Sequence, residues 1–196
     1  MKTVLLLLCK GVEIFEAAAF YDVLGWSGTD GSEQVDVVTV GLQSPVICTF
    51  GLTVIPDALL AEVQPDNFDA LAVPGGFENF GFYEHAYSEE VSMLIRHFEE
   101  QKKPIASICV GALPLAKSGI LSERAATTYQ FMEGKRRKQL AEFNVNVLDE
   151  LIVQDDNVIT STGPGTAVEV ALRLLAELTG TENAKQIRHL MGFDLK

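Results

Sequence analysis

Strand-length apolar runs alternate with helical stretches along almost the whole chain, and that alternation admits few folds. Residues 3–9 form an unbroken apolar run and residues 35–40 a β-branched one. A third, residues 68–73, ends at Pro74-Gly75-Gly76, and a fourth spans 104–108. Continuous hydrophobicity of this kind marks strands buried on both faces. Between them, residues 13–24 and 88–101 follow helical spacing. Ser88 reads as an N-cap, with Glu89 and Glu90 in the first turn. Residues 46–55 hold two short apolar pieces, and 124–128 a further strand. Residues 150–154 and 158–162 flank Asp155-Asp156-Asn157, a hairpin turn. Residues 166–178 make the clearest helix, with Thr166 and Glu169 patterned as a capping box. Glu169, Arg173 and Glu177 line one face of it, and Ala167, Val168, Ala171, Leu174, Leu175 and Leu178 the other. The expected architecture is α/β: a mostly parallel sheet with helices on both faces. The chain has 196 residues, 47% of them hydrophobic, and shows no linker or repeat, so one domain over 1–196 is expected.

The fourth run leads into the most informative segment, Ala106-Ser107-Ile108-Cys109-Val110-Gly111-Ala112. A buried strand ends at a cysteine, and a helical pattern over 110–118 begins at once. Ser107 and Gly111 are small, as a sharp strand-to-helix turn requires. This is the pattern of a nucleophile elbow with Cys in place of Ser. A thiol at a helix N-terminus meets unpaired N–H groups, which favours the thiolate. The residues alone admit a second reading, a buried inert cysteine at a strand end.

In parallel sheets, sites form beyond the C-terminal ends of the strands. Cys9, Gly75-Gly76 and Cys109 all fall at such ends. Glu16 lies in the first helical stretch. At about 100° per residue it shares a face with Val12, Ala19, Phe20 and Val23. A carboxylate within an apolar stripe is either desolvated, with a raised pKa and a proton to give, or wet because the helix starts late. Glu13 lies nearer the edge, and Asp22 points away. The N–H groups of Gly75, Gly76 and Val110 could form an oxyanion site, or the glycines could make a plain turn. Residues 77–87 form an aromatic-rich loop, with Phe77, Tyr83 and His85, that reads as a lid, a pocket wall or a dimer contact. Gly163-Pro164-Gly165 before Thr166 reads as structural. His97 and His189 read as surface helix residues.

Composition narrows the partners. The formal net charge of −12 argues against nucleic acid and anionic membranes. The basic run, Lys135-Arg136-Arg137-Lys138, would spread around a helix as a solvated face. Cys9, Cys48 and Cys109 are far apart and odd in number, and the histidines do not cluster. Neither a disulfide framework nor a metal site is expected, and a reducing cytoplasm fits best. The apolar stretch after Met1-Lys2 is too short for a signal peptide, and none reaches a membrane span. No cofactor is expected; the partner is a small-molecule substrate.

Four motifs together resemble the ThiJ/PfpI superfamily. They are Lys10-Gly11-Val12-Glu13-Ile14-Phe15-Glu16, Val73-Pro74-Gly75-Gly76, Ile105-Ala106-Ser107-Ile108-Cys109-Val110-Gly111 and Thr160-Ser161-Thr162-Gly163-Pro164-Gly165-Thr166, over residues 2–180. The resemblance implies a flavodoxin-like sandwich of the class I glutamine amidotransferase type, usually a homodimer. It implies Cys109 at the elbow, Glu16 hydrogen-bonded to it, and Gly75, Gly76 and Val110 as anion-binding backbone. Three positions depart from it. The protease-like branch has a histidine where this chain has Val110, which argues against peptidase activity. The deglycase-like branch has a histidine where Tyr129 stands, and Thr162 replaces a frequent arginine. No histidine is left as general base, so the helix N-terminus would activate Cys109 and Glu16 would shuttle the proton. Tyr129 could donate a hydrogen bond but is a poor base at neutral pH. The isocyanide-hydratase branch also pairs a Cys with an acid, usually Asp.

Two functions follow as expectations. In one, Cys109 attacks an electrophilic carbon in a hydratase, hydrolase or glyoxalase/deglycase type of reaction. In the other, the protein is a redox sensor or stress-protective factor whose Cys109 oxidises to a sulfinate held by a protonated Glu16. A partner-binding scaffold without chemistry is the third reading.

Overall fold

The computed structural model describes residues 1–194; the end of the domain expected over 1–196 lies outside the described residues. Its centre is a seven-stranded sheet in the order β10-β11-β7-β6-β1-β2-β5. The strands are β1 (Lys2–Leu8), β2 (Val35–Gly41), β5 (Ala58–Leu59), β6 (Ala70–Val73), β7 (Ile105–Ser107), β10 (Ile152–Asp155) and β11 (Val158–Ser161). Every neighbouring pair is parallel except the β10–β11 hairpin, as expected. β3 (Val46–Ile47) and β4 (Thr53–Val54) form a small antiparallel hairpin from the two apolar pieces of 46–55. β8 (Ala125–Ala126) pairs with β9 (Asn146–Val147) in a separate two-stranded sheet.

Side-chain alternation along β1 divides the core in two. Val4, Leu6 and Leu8 face one hydrophobic cluster, and Leu5 and Leu7 the other. The first is covered by α1 (Ile14–Asp30), α6 (Ala167–Thr179) and α7 (Thr181–Leu190). The second packs under α2 (Phe82–Ala86), α3 (Glu89–Glu100), α4 (Ala112–Lys117) and α5 (Lys135–Ala141). Helices on both faces explain why the strands are apolar on both sides. Among the described residues, no helix is long and apolar enough to cross a membrane.

Local signals and tertiary contacts divide the helix ends between them. Ser88 caps α3, its Oγ accepting the Val91 N–H at 3.3 Å. α1 continues past residue 24 because Ser27 is buried, donating to the Glu33 carbonyl and accepting from Asn183 of α7. The capping box at Thr166 does not form. Residues Pro164–Thr166 make a 3-10 turn, and Thr166 has φ −104° and ψ −1°, not the extended backbone of an N-cap. Its hydroxyl donates to the Gly163 carbonyl instead, at 2.7 Å. Glu169 is drawn outward to Arg173 and Arg188. The basic run is not a solvated face throughout. Arg136 is only 15% exposed: its guanidinium lies 5.3 Å from the centre of the Tyr83 ring and pairs with Glu78.

Candidate functional site

β1, β6 and β7 lie side by side and run the same way, so their C-terminal ends bring three loops together. Cys109 stands at the end of the β7 loop with φ +57°, a left-handed backbone rare for residues other than glycine. A 3-10 turn over Cys109–Gly111 leads into α4. The turn fits only because its flanks are small. Ser107 is fully buried, and a Cβ on Gly111 would stand 2.4 Å from the Val73 carbonyl oxygen. Thr128, buried beside the turn, donates its hydroxyl to the Cys109 carbonyl at 2.8 Å. Of the three cysteines, Cys9 and Cys48 are buried and Cys109 is partly accessible.

Glu16 is fully buried, so the reading of a late-starting helix with a wet side chain is excluded. Its Oε2 accepts the Gly75 N–H at 2.6 Å. The carboxyl also interacts with the Cys109 thiol as a hydrogen-bonding neighbour, although Oε1 has no partner of full hydrogen-bond geometry. Burial pushes the Glu16 carboxyl up to about 8, against the lowering effect of the Gly75 and Cys109 hydrogen bonds. Glu13, at the start of the same helix, adds a smaller upward push and is itself raised by burial. Gly75 separates the two reactive groups. A Cβ there would lie 2.9 Å from Glu16 Oε2 and 3.0 Å from the Cys109 Cβ. Glycine is what permits that approach.

Two expectations about this site change. The thiol is not lowered by its place at a helix start. Burial, and then the Glu16 charge, push it well above the ordinary thiol range, and the Val110 N–H only partly offsets them. The helix that follows has six residues behind a 3-10 turn, so few aligned peptides act on the sulfur. The Gly75 N–H is not free for an oxyanion either, because Glu16 occupies it. That leaves the N–H groups of Val110, directed at the sulfur, and of Gly76, which has no partner among the described residues.

The remaining candidates are placed as follows. Tyr129 follows Thr128 and packs beside Gly163 and against Phe131, at 5.7 Å between ring centres. Phe77 is 41% exposed and meets Phe80 edge-on and Phe50 at a tilt in an aromatic cluster. His85 is not brought to the thiol. Its Nδ1 accepts the Lys10 N–H at 3.2 Å, and it lines a groove with Leu42, Leu60, Met93 and His97. Burial, and then the Lys10 charge, hold its pKa below the usual value. His97 and His189 lie on helices and face Asp66 and Asp194. Thr128 and the closeness of Glu13 went unread in the sequence. The pair Thr127-Thr128 in a short apolar strand was the available signal for the first.

A buried acid lies beside a partly accessible elbow thiol, with the Val110 N–H at the sulfur, an arrangement chemically able to exchange one proton between acid and thiol. Comparison with known proteins places the chain in a family. The model of the DJ-1/PfpI family matches residues 2–177. The chain is 35% identical over 188 residues to the protein dj-1beta of Drosophila melanogaster, covering 95% of this chain and 94% of that protein. It is 32% identical over 143 residues to the glutathione-independent glyoxalase DJR-1.2 of Caenorhabditis elegans, covering 73% of each. The crystal structure of Drosophila melanogaster DJ-1beta superposes with a TM-score of 0.85 at 34% identity, over 97% of both chains. The flavodoxin-like sandwich, the ordered motifs and these likenesses lead to one conclusion: the chain belongs to the DJ-1/PfpI family.

Proposed function

We propose that this protein is a cysteine-dependent enzyme of glyoxalase type, converting a small α-oxoaldehyde to an α-hydroxy acid without a cofactor. The observation that carries the reading is the buried Glu16 carboxyl, held beside the Cys109 thiol and pushed up to about 8 by burial. Glu16 and Cys109 titrate as a pair, both largely protonated at neutral pH, with Glu16 the first to lose its proton; the ionised fraction, growing toward pH 8, is the reactive form. As sulfur attacks the aldehyde carbon, the thiol proton passes to the Glu16 carboxylate. The carbonyl electron pair moves to oxygen, where the Gly76 and Val110 N–H groups receive it. Glu16 returns its proton to that oxygen. The carboxylate then takes the C–H proton of the hemithioacetal carbon and delivers it to the neighbouring ketone carbon, while the hemithioacetal hydroxyl hydrogen passes to the former ketone oxygen. A thioester of the α-hydroxy acid results, and water hydrolyses it to free the thiol. One carbon is oxidised and its neighbour reduced, so only water is consumed. The C. elegans relative named as a glyoxalase supports this class. The test is conversion of methylglyoxal to lactate without glutathione; no lactate above the uncatalysed rate sinks the reading.

A second reading, oxidation sensing, has its own support. Cys109 is the accessible cysteine, and a protonated Glu16 would donate to a sulfinate oxygen. A related structure, of Toxoplasma gondii DJ-1, is of the oxidized protein (TM-score 0.81, 25% identity). Mild peroxide is expected to add two oxygens to the partly accessible Cys109 and to spare the buried Cys9 and Cys48. Peptide mass mapping reads this, and equal oxidation of all three contradicts it.

We also propose the homodimer that the family resemblance implies. Phe15 and Tyr21 of α1, with Ile47, Phe50 and Leu52 of the β3–β4 hairpin, are each half or more exposed. Large apolar side chains left this exposed favour burial against a second copy. Light scattering at micromolar concentration is expected to give twice the 21.4 kDa chain mass; the monomer mass rejects it.

A further inference from the structure

The left-handed backbone of Cys109, φ +57°, is one that a side chain normally avoids, so its surroundings must hold it there. The conformation is set by two peptide planes, one on each side of the Cys109 α-carbon. The plane before it is held within the turn: the Gly111 N–H donates to the Ile108 carbonyl at 2.8 Å. The plane after it is held from outside the turn. Thr128, fully buried and 19 positions away, donates its hydroxyl to the Cys109 carbonyl at 2.8 Å. That carbonyl shares its peptide with the Val110 N–H, the donor that meets the sulfur. One hydroxyl therefore fixes both the turn of the cysteine and the direction of its backbone donor.

Thr128 follows β8, which pairs with β9 in its own small sheet and is tied to the β10–β11 hairpin by side chains. Asp155 of β10 accepts the Ala125 N–H at 2.8 Å and the Arg124 Nε–H at 3.2 Å. Thr160 of β11 accepts the Thr127 N–H at 2.9 Å. β11 pairs with β7, the strand that runs into the elbow. Neighbouring strands of one sheet thus carry the hydroxyl and the carbonyl it meets, and strand pairing sets their separation. The adjacent threonine gives a contrast: the Thr127 hydroxyl oxygen is also buried and has no partner among the described residues. On the other side of the cysteine, a Cβ on Gly75 would stand 3.0 Å from the Cys109 Cβ and 2.9 Å from Glu16 Oε2. A cysteine turned out of its left-handed backbone would move away from that carboxyl.

We infer that Thr128 is a positioning residue of the Cys109 site: by holding the 109–110 peptide through its carbonyl, it keeps the cysteine left-handed beside Glu16 and the Val110 N–H aimed at the sulfur. The inference rests on the reading of Cys109 as the reactive group, and its decisive measurement needs no turnover. Without the hydroxyl, the peptide turns and the thiol leaves its enclosed place. Burial and then the Glu16 charge are what raise this thiol, with a smaller push from Glu13, and the Val110 N–H offsets them in part. A displaced thiol loses the larger influences and behaves more like an ordinary one.

Alkylation of Cys109 by iodoacetamide, followed by peptide mass from about pH 6 to 10 to span the ordinary thiol range, compares the native protein with Thr128→Val, Thr128→Ser and Thr127→Val. Valine keeps the shape of threonine and removes the donor. Its profile is expected to move down toward that of an ordinary thiol, about tenfold faster at pH 8. Its kcat on methylglyoxal is expected to fall by about 10²-fold, the effect of reacting atoms displaced by about 1 Å. Serine restores the hydroxyl and with it the native profile. Thr127→Val makes the same exchange one residue away, on an unpaired oxygen, and leaves the profile in place. If circular dichroism shows Thr128→Val unfolded, Thr128→Ala carries the comparison. A hydroxyl that only stabilises the fold would change the melting temperature and not the profile. Superimposable native and Thr128→Val profiles overturn the inference, as does an equal shift in Thr127→Val or a serine variant that follows valine. Absence of methylglyoxal turnover in the native protein would instead reject the glyoxalase reading and leave the alkylation comparison standing.

Discussion

Cys109→Ser protein converts methylglyoxal at no more than about a thousandth of the native rate, with its fold intact. The substitution changes one atom and keeps the volume of a partly accessible side chain. The positive φ at residue 109 is as available to serine as to cysteine, so the elbow survives. What is lost is the nucleophile. A hydroxyl beside Glu16 must lose a proton far more tightly held than a thiol's, and a carboxylate whose acid titrates at about 8 is too weak a base to take it. Native-like circular dichroism with lactate formation at the native rate would remove Cys109 from the mechanism.

Glu16→Gln separates the two duties of the carboxyl. The amide is isosteric, its oxygen can still accept the Gly75 N–H, and its NH₂ can face the sulfur. It cannot accept a proton. Turnover is expected to fall by roughly 10² or more, the usual share of a general base. Stability moves the other way with pH. The Glu16 carboxyl is raised from 4.5 to about 8, so the folded state holds a proton that the unfolded chain has released between those values. Native stability therefore falls as pH rises through that window, by up to about 1.4 kcal/mol per pH unit. Glutamine has no proton to lose there. Urea midpoints at pH 5, 6.5 and 8 are expected to decline for the native protein and to stay more nearly level for the variant. Parallel declines would mean that Glu16 is ionised and solvated in the folded state.

Most of the central sheet was legible because its signals are local. The apolar run of residues 3–9, the β-branched run of 35–40 and the hairpin arm of 158–162 coincide with β1, β2 and β11 to within a residue or two at each end. Ser88 caps α3 through its own side chain, and that too is a local event. The misses are contests that distant residues won. Thr166 looked like a cap, but the 3-10 turn before it rotates its hydroxyl away. α1 outran its periodic pattern because Asn183, from the other end of the chain, buries Ser27. Arg136 looked solvated among four basic residues, yet Tyr83 and Glu78 enclose it. His85 sat in a promising loop and was turned toward the Lys10 amide.

The sequence by itself determined the elbow. Small residues on either side of Cys109 are a requirement of backbone packing, and the clash that a Cβ on Gly111 would meet with Val73 gives the reason. It also determined that Glu16 breaks an apolar stripe. Only the tertiary structure decided what those two residues mean to each other. Glu16 and Cys109 are 93 positions apart in the chain, so neither residue's local pattern specifies their meeting. Parallel packing of β1, β6 and β7 places their loops at one edge. The burial that results raises both groups where a bare helix start would have lowered the thiol. Desolvation depends on everything packed around a group, and no local pattern of residues encodes it.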